Sequence, residues 1–180
     1  MPCEAAEIFR LSAGPDAPRQ VFAYLLGGLN AEVGEGLTTA SVYDLPRMRS
    51  RRVFSENLEA YALGGFKPLE RNRYFDTVIA GTRHFSTTRI EEIAEVFFDW
   101  EKIRDLGFES NMNLPAVADG RVIGTVNLLG PRGRFTPETV ARALAWQPAA
   151  TAAFLLLHLK GAETATFQPD LRKTAQPDQA

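Results

Sequence analysis

Apolar residues at Val21, Phe22, Leu25, Leu26, Leu29 and Val33 recur at helical spacing and form one stripe. They predict a helix from about Ala17 to Val33, with Asp16 as its N-cap. A shorter helix precedes it and ends before Ser12-Ala13-Gly14-Pro15. Gly27-Gly28 weakens the long helix by about 1 kcal/mol per glycine relative to alanine, so the pair either admits a close neighbour or is simply tolerated. After Gly34 to Gly36 the pattern changes. Leu37 to Tyr43 is rich in β-branched and aromatic residues and reads as a strand, as does Arg51 to Ser55. Tyr61 to Lys67 is irregular or a remnant of a strand. Asn72 to Ala80 is helical, with Tyr74, Phe75, Val78 and Ile79 turned inward, and Gly81 closes it. His84 to Thr87 is a short strand. Ile90, Ile93, Ala94, Phe97 and Phe98 have helical spacing behind a Thr88 cap, with a continuation or kink near Asp99-Trp100 and a stop at Gly107.

Phe108 to Val117 and Arg121 to Leu129 flank Asp119-Gly120, a strong signal for a β-hairpin. Thr136-Pro137-Glu138 is a helix start, with Thr136 as cap and proline where its missing N–H costs nothing. Pro148 kinks or breaks that helix. Beyond it, Ala149 to Lys160 is apolar most of the way round, with Ala152, Ala153, Leu156 and Leu159 assigned to the inner side. The order of elements is α+β, and the hairpin excludes an all-parallel sheet.

Composition narrows the function classes. The 180 residues carry a formal net charge of -2 and are 45% hydrophobic, as in an ordinary soluble domain. Charges of both signs are interspersed. No long basic stripe invites a phosphate backbone, so no direct nucleic-acid binding is expected; the densest basic cluster, Arg47, Arg49, Arg51 and Arg52, reads as a solvated loop, with an anion contact as the alternative. No apolar run approaches the ~20 residues of a membrane span. The start lacks a secretory pattern, and the single cysteine, Cys3, excludes a disulfide framework and cysteine-based zinc; a cytoplasmic location is expected.

The stretch Ser110 to Leu129 (SNMNLPAVADGRVIGTVNLL) resembles the C-terminal half of a GAF domain. The similarity is carried by Leu114-Pro115, Asp119-Gly120 and Val122-Ile123-Gly124, with the helix at Thr136 in the right place. The opening helix and strand extend it over about Ala17 to Leu159. The resemblance implies a central, mostly antiparallel sheet of five to six strands, with the terminal helices on one face and the connecting helices on the other. Residues 1–16 are then an N-terminal extension, 17–160 the GAF-like domain and 161–180 a flexible tail.

The resemblance also implies a small-molecule-binding sensory domain without catalysis of its own, its ligand between the sheet and the segment Asn72 to Trp100. Tyr74, Phe75, Arg83, His84, Ser86, Asp99 and Trp100 supply aromatic surface and a few polar groups there. Specific family activities lack their residues. Methionine sulfoxide reduction and bilin attachment need cysteines absent from these positions, and the cyclic-nucleotide signature is not recognisable. Cofactor and metal are expected to be absent, and two distant histidines with scattered carboxylates make a poor metal site. The alternatives are acid–base chemistry by Arg83, His84 and Asp99, or a regulatory dimer without a pocket.

Asn111, Asn113, Thr125 and Asn127 are polar residues in otherwise apolar strands and require partners. Asn111 and Asn113 share a face, as do Thr125 and Asn127. A two-residue Asp119-Gly120 turn pairs Leu114 with Thr125 and separates the two sets. A three-residue loop from Ala118 pairs Asn113 with Thr125 and unites them. The united arrangement is preferred, as part of a ligand pocket. Finally, the apolar surplus on the terminal helices predicts a homodimer through them.

Overall fold

The computed structural model describes residues 3–169. Helices α1 (Ala5–Ser12) and α2 (Ala17–Val33) lead into a six-stranded antiparallel sheet: β1 (Leu37–Asp44), β2 (Arg49–Ser55), β3 (Lys67–Pro68), β4 (Phe85–Thr87), β5 (Ser110–Ala118) and β6 (Arg121–Gly130). Their order across the sheet is β3-β2-β1-β6-β5-β4. Between β3 and β4 lies a π-helical turn, Phe75–Ala80, and between β4 and β5 lie α3 (Ile90–Ala94) and α4 (Trp100–Asp105). Helices α5 (Pro137–Leu144) and α6 (Gln147–Gly161) follow the sheet, bent by 47° at the break between Leu144 and Gln147. Among the described residues no single helix is long and apolar enough to cross a membrane.

Local rules account for many of these ends. Thr136 accepts the N–H of Thr139 at the start of α5. Gly120 and Gly107 take positive φ at the hairpin turn and after α4, where L side chains are disfavoured. Asp16 departs from expectation: its backbone is left-handed, and its carboxylate takes the side chain of Arg19 rather than capping α2.

The main core lies between one sheet face and the layer of α2 and α6. Ala40, Val42, Met112, Leu114, Val126 and Leu128 meet Val21, Phe22, Leu25, Leu29, Phe154 and Leu157. The two adjacent glycines divide their roles. A Cβ on Gly28 would stand 2.0 Å from the Trp146 ring, whereas Gly27 faces open space. Gly124 likewise lies under the Phe154 ring, at 2.2 Å from where its Cβ would be. That contact turns α6 differently from the sequence assignment. Phe154 and Leu157 point inward, while Leu159 is 82% exposed. The sheet needs the larger ring over the glycine gap, and the helical period then carries Leu159 outward.

The chain past α6 also differs from the flexible tail expected from residue 161. Phe167 is 2% exposed, stacks on Phe22 at 4.0 Å, and donates its N–H to the Val53 carbonyl. Arg51 reaches from β2 to the carbonyls of Ala162 and Ala165. The rest of the expected tail, 170–180, lies outside the described residues.

Candidate functional site

The opposite sheet face carries the unusual chemistry. The hairpin turn is two residues long, Ala118 pairing with Arg121, yet Pro115 faces Thr125 and Asn113 faces Asn127. Neither regular register gives this. A bulge supplies the missing step: Val117 pairs with Val122 and Ala116 with Gly124, leaving Ile123 extra. The polar sets are therefore united on one face, through a bulge rather than a longer loop. Helix α6 holds that bulge from behind. His158 bonds the Ile123 carbonyl at 3.0 Å, Thr151 receives the Val117 N–H, and Phe154 fills the space over Gly124.

A continuous row of hydrogen bonds follows. The Thr87 hydroxyl donates to Asn111 Oδ1 at 2.7 Å. Asn111 Nδ2 donates to Asn113 Oδ1, and Asn113 Nδ2 to Asn127 Oδ1, both at 2.9 Å. Asn127 Nδ2 donates to the Thr39 hydroxyl at 3.3 Å. The row crosses β4, β5, β6 and β1, and its bonds all run in one direction, so each polarises the next. Each carboxamide spends one donor and one acceptor on its neighbours, out of two of each. Beside the row, the Tyr43 hydroxyl meets those of Tyr74 at 2.7 Å and Thr125 at 2.8 Å. Burial pushes both phenols above the ordinary tyrosine value. Tyr74, Phe75, Val78, Ile79, Phe85 and Val122 form a second core over this end of the face.

Arg52 reaches the same face through another bulge. Phe54 pairs with Ala40 and Arg52 with Ser41, leaving Val53 extra. Its guanidinium stands 4.8 Å from the Tyr61 ring, and Asp99 acts electrostatically on both. Burial, then Asp99, raises the Tyr61 phenol to about 12.

The residues expected to form the site thus divide. Tyr74, Asn111, Asn113, Thr125 and Asn127 share the polar face, Phe75 packs in the second core, and Asp99 sits by Arg52. Ser86 does not belong: it pairs with Met112, whose side chain faces the α2–α6 layer. In a strand as short as β4, adjacent residues take opposite faces, so Phe85 and Thr87 point to the site and Ser86 away. Arg83 and His84 instead border an open cleft of about 500 Å³ with Thr77, Thr82, Leu144 and Gln147. Burial, then the neighbouring Arg83 charge, lowers the His84 pKa and favours the neutral ring. Trp100 opens α4, where Arg104 lies 5.2 Å from its ring. Arg83, His84 and Asp99 therefore share no hydrogen-bond network among the described residues, and the acid–base trio is not assembled.

Sequence reasoning missed Thr39, Tyr43 and Tyr61, and singled out Arg52 only as one member of a basic cluster. A signal existed for the first two: Thr39, Ser41 and Tyr43 alternate through β1 just as the asparagines do through β5.

No protein-family model matches the chain. Solved structures of GAF domains do. The GAF domain/HD domain protein of Geobacter sulfurreducens aligns with a TM-score of 0.63 at 16% identity, covering 84% of this chain and 98% of that one. The GAF domain of a phosphoenolpyruvate-protein phosphotransferase from Coxiella burnetii gives 0.64 at 12% identity, covering 87% and 93%. That of a two-component sensor histidine kinase from Bacillus halodurans gives 0.62 at 10%, covering 78% and 95%. The protein has the GAF-domain fold. Among curated proteins, a CTP synthase of Tropheryma whipplei (strain Twist) is 30% identical over 123 residues, 65% of this chain, but the chain spans only 20% of that enzyme's length.

Proposed function

We propose that the protein is a cytoplasmic sensory or regulatory module that binds a small molecule on the polar face of its sheet. The amide row carries this reading. Packing alone favours apolar residues at such positions, because polar groups there must be individually satisfied. Here four strands each contribute a polar group to one row, with donors and acceptors left over. Asn127, near one end, is only partly covered. The sensor histidine kinase domain among the similar structures supports a signalling role.

Thermal-shift screening of the full chain against metabolites tests the reading. CTP belongs in the panel because of the partial likeness to a CTP synthase. A ligand at 100 times its Kd adds about 2.7 kcal/mol, or roughly 5–10 °C in a chain of this length. Asn127→Leu should reduce that shift. A screen in which nothing raises the midpoint overturns the reading.

We also propose that two copies pair through α1 and α6. These helices touch, and they present Phe9 (76% exposed), Leu155 (47%) and Leu159 (82%). Scattered apolar residues are ordinary on a surface, but three large ones on two touching helices are what a second copy would cover. Sedimentation over a dilution series should show a dimer that Leu159→Glu weakens. A monomer at high micromolar concentration overturns it.

A further inference from the structure

We propose that the ligand of the polar face is an anion, and that Arg52 receives its carboxylate or phosphate group through the Nε–Nη2 edge of the guanidinium. The proposal rests on reading that face as the binding site. Arg52 uses one corner of its fork: Nη1 donates to the Ala62 carbonyl at 3.4 Å. Its Nε is buried and has no partner. No hydrogen bond from Nη2 is seen among the described residues. Those two N–H groups lie parallel on one edge, the spacing that a carboxylate or phosphate meets with two oxygens.

Arg51, its neighbour, also has a buried unpartnered Nε, yet it does not make an equivalent site. Its Nη2 is already shared by the carbonyls of Ala162 and Ala165, and the residue is 5% exposed on the opposite, helix-covered face. Arg52 is only partly covered, so part of its side chain meets solvent although its Nε is itself buried.

The surroundings favour negative charge. Lys102 lies on the same Tyr61 ring, 4.6 Å from its centre, and bonds the Ala60 carbonyl. Two cations thus grip one short turn, with Asp99 as the nearby carboxylate. Among the described residues no ion pair includes Arg52, Lys102 or Asp99. Arg52 pairs with Ser41, on the strand that also carries Thr39 and Tyr43. A ligand held there by its anionic group meets hydroxyls and amides with its remainder. That describes a small carboxylic acid or phosphorylated metabolite with a polar body, not an apolar compound.

Two measurements test this. The first needs no ligand. An arginine kept for binding leaves the empty protein with an unsatisfied buried donor, so Arg52→Met should leave the melting midpoint unchanged or raise it. A fall of more than about 4 °C would make Arg52 a structural anchor and overturn the proposal. The second is calorimetric titration of the full chain with three panels. These are carboxylates (succinate, 2-oxoglutarate, amino acids), phosphates (inorganic phosphate, phosphoenolpyruvate, CTP) and neutral compounds (nucleosides, sugars). Binding should come from one anionic panel, which identifies the head group. Arg52→Met should then weaken it at least ~10-fold, and Arg52→Lys less, because a point charge cannot replace the fork. Binding only from the neutral panel, or affinity that Arg52→Met leaves intact, overturns the anion proposal. The binding-face reading survives either result if Asn127→Leu abolishes the binding. Silence from every panel overturns both.

Discussion

Asn113 sits in the middle of the amide row, and replacing it with leucine is the most direct probe of that row. Leucine has the branching and heavy-atom count of asparagine but bulkier methyl ends, so it removes the polar atoms at the cost of some overpacking. It removes the acceptor of Asn111 Nδ2 and the donor to Asn127 Oδ1. The two losses are unequal. Asn111 is 3% exposed and has no water to turn to, so its stranded amide costs about 1–3 kcal/mol. Asn127 is partly covered and recovers more of its loss from solvent. The new leucine offsets part of the cost by burying a methyl-rich surface, which places the net near 1–2 kcal/mol. In a chain of this length that is a fall of roughly 2–8 °C in Tm. Urea unfolding of wild type, Asn113→Leu, Asn111→Leu and the double variant completes the test. Because the residues share a bond, the double variant should lose less than the sum of the singles. A single variant as stable as wild type, or strict additivity, would show that the row is not a coupled network.

Gly124→Ala should cost about 1–3 kcal/mol by overpacking, since its Cβ would lie 2.2 Å from the Phe154 ring, and denaturant titration reads this directly. Phe167→Ala removes a ring 2% exposed and stacked at 4.0 Å on Phe22; a loss of about 3–5 kcal/mol is expected, and a loss near zero would deny that the segment after α6 is part of the core. Tyr43, Tyr61 and Tyr74 resist ionisation in the fold while the unfolded phenols titrate near 10. Their contribution is therefore intact below pH 10 and is lost as pH rises from there through the folded values, with fewer protons bound in the unfolded state. Native-state phenolate absorbance should lag the same titration in denaturant; coincident curves would refute the burial of these hydroxyls.

Much of the architecture was legible from local pattern. The helical stripe of α2, the alternation in β1, the Asp119-Gly120 turn, and Thr136-Pro137 at the start of α5 each depend on residues a few positions apart. So did the oddity of the asparagines, because a polar residue in an apolar strand stands out without any partner in view. Their common face was not determined in this way. A strand has a period of two, and one extra residue reverses every side chain beyond it. Bulges at Ile123 and Val53 make that reversal here, bringing Thr125 and Asn127 beside Asn113, and Arg52 beside Ser41. The partners at the first lie more than thirty residues away in sequence: His158 on the Ile123 carbonyl and Thr151 on Val117. The inward face of α6 and the docking of Phe167 follow from similarly distant contacts, with Gly124 and Phe22. Elements came from the sequence because their physics is local. Register, and with it the composition of the polar face, came from the tertiary structure, because the bulge that sets which way the strand points is held by contacts from a remote helix.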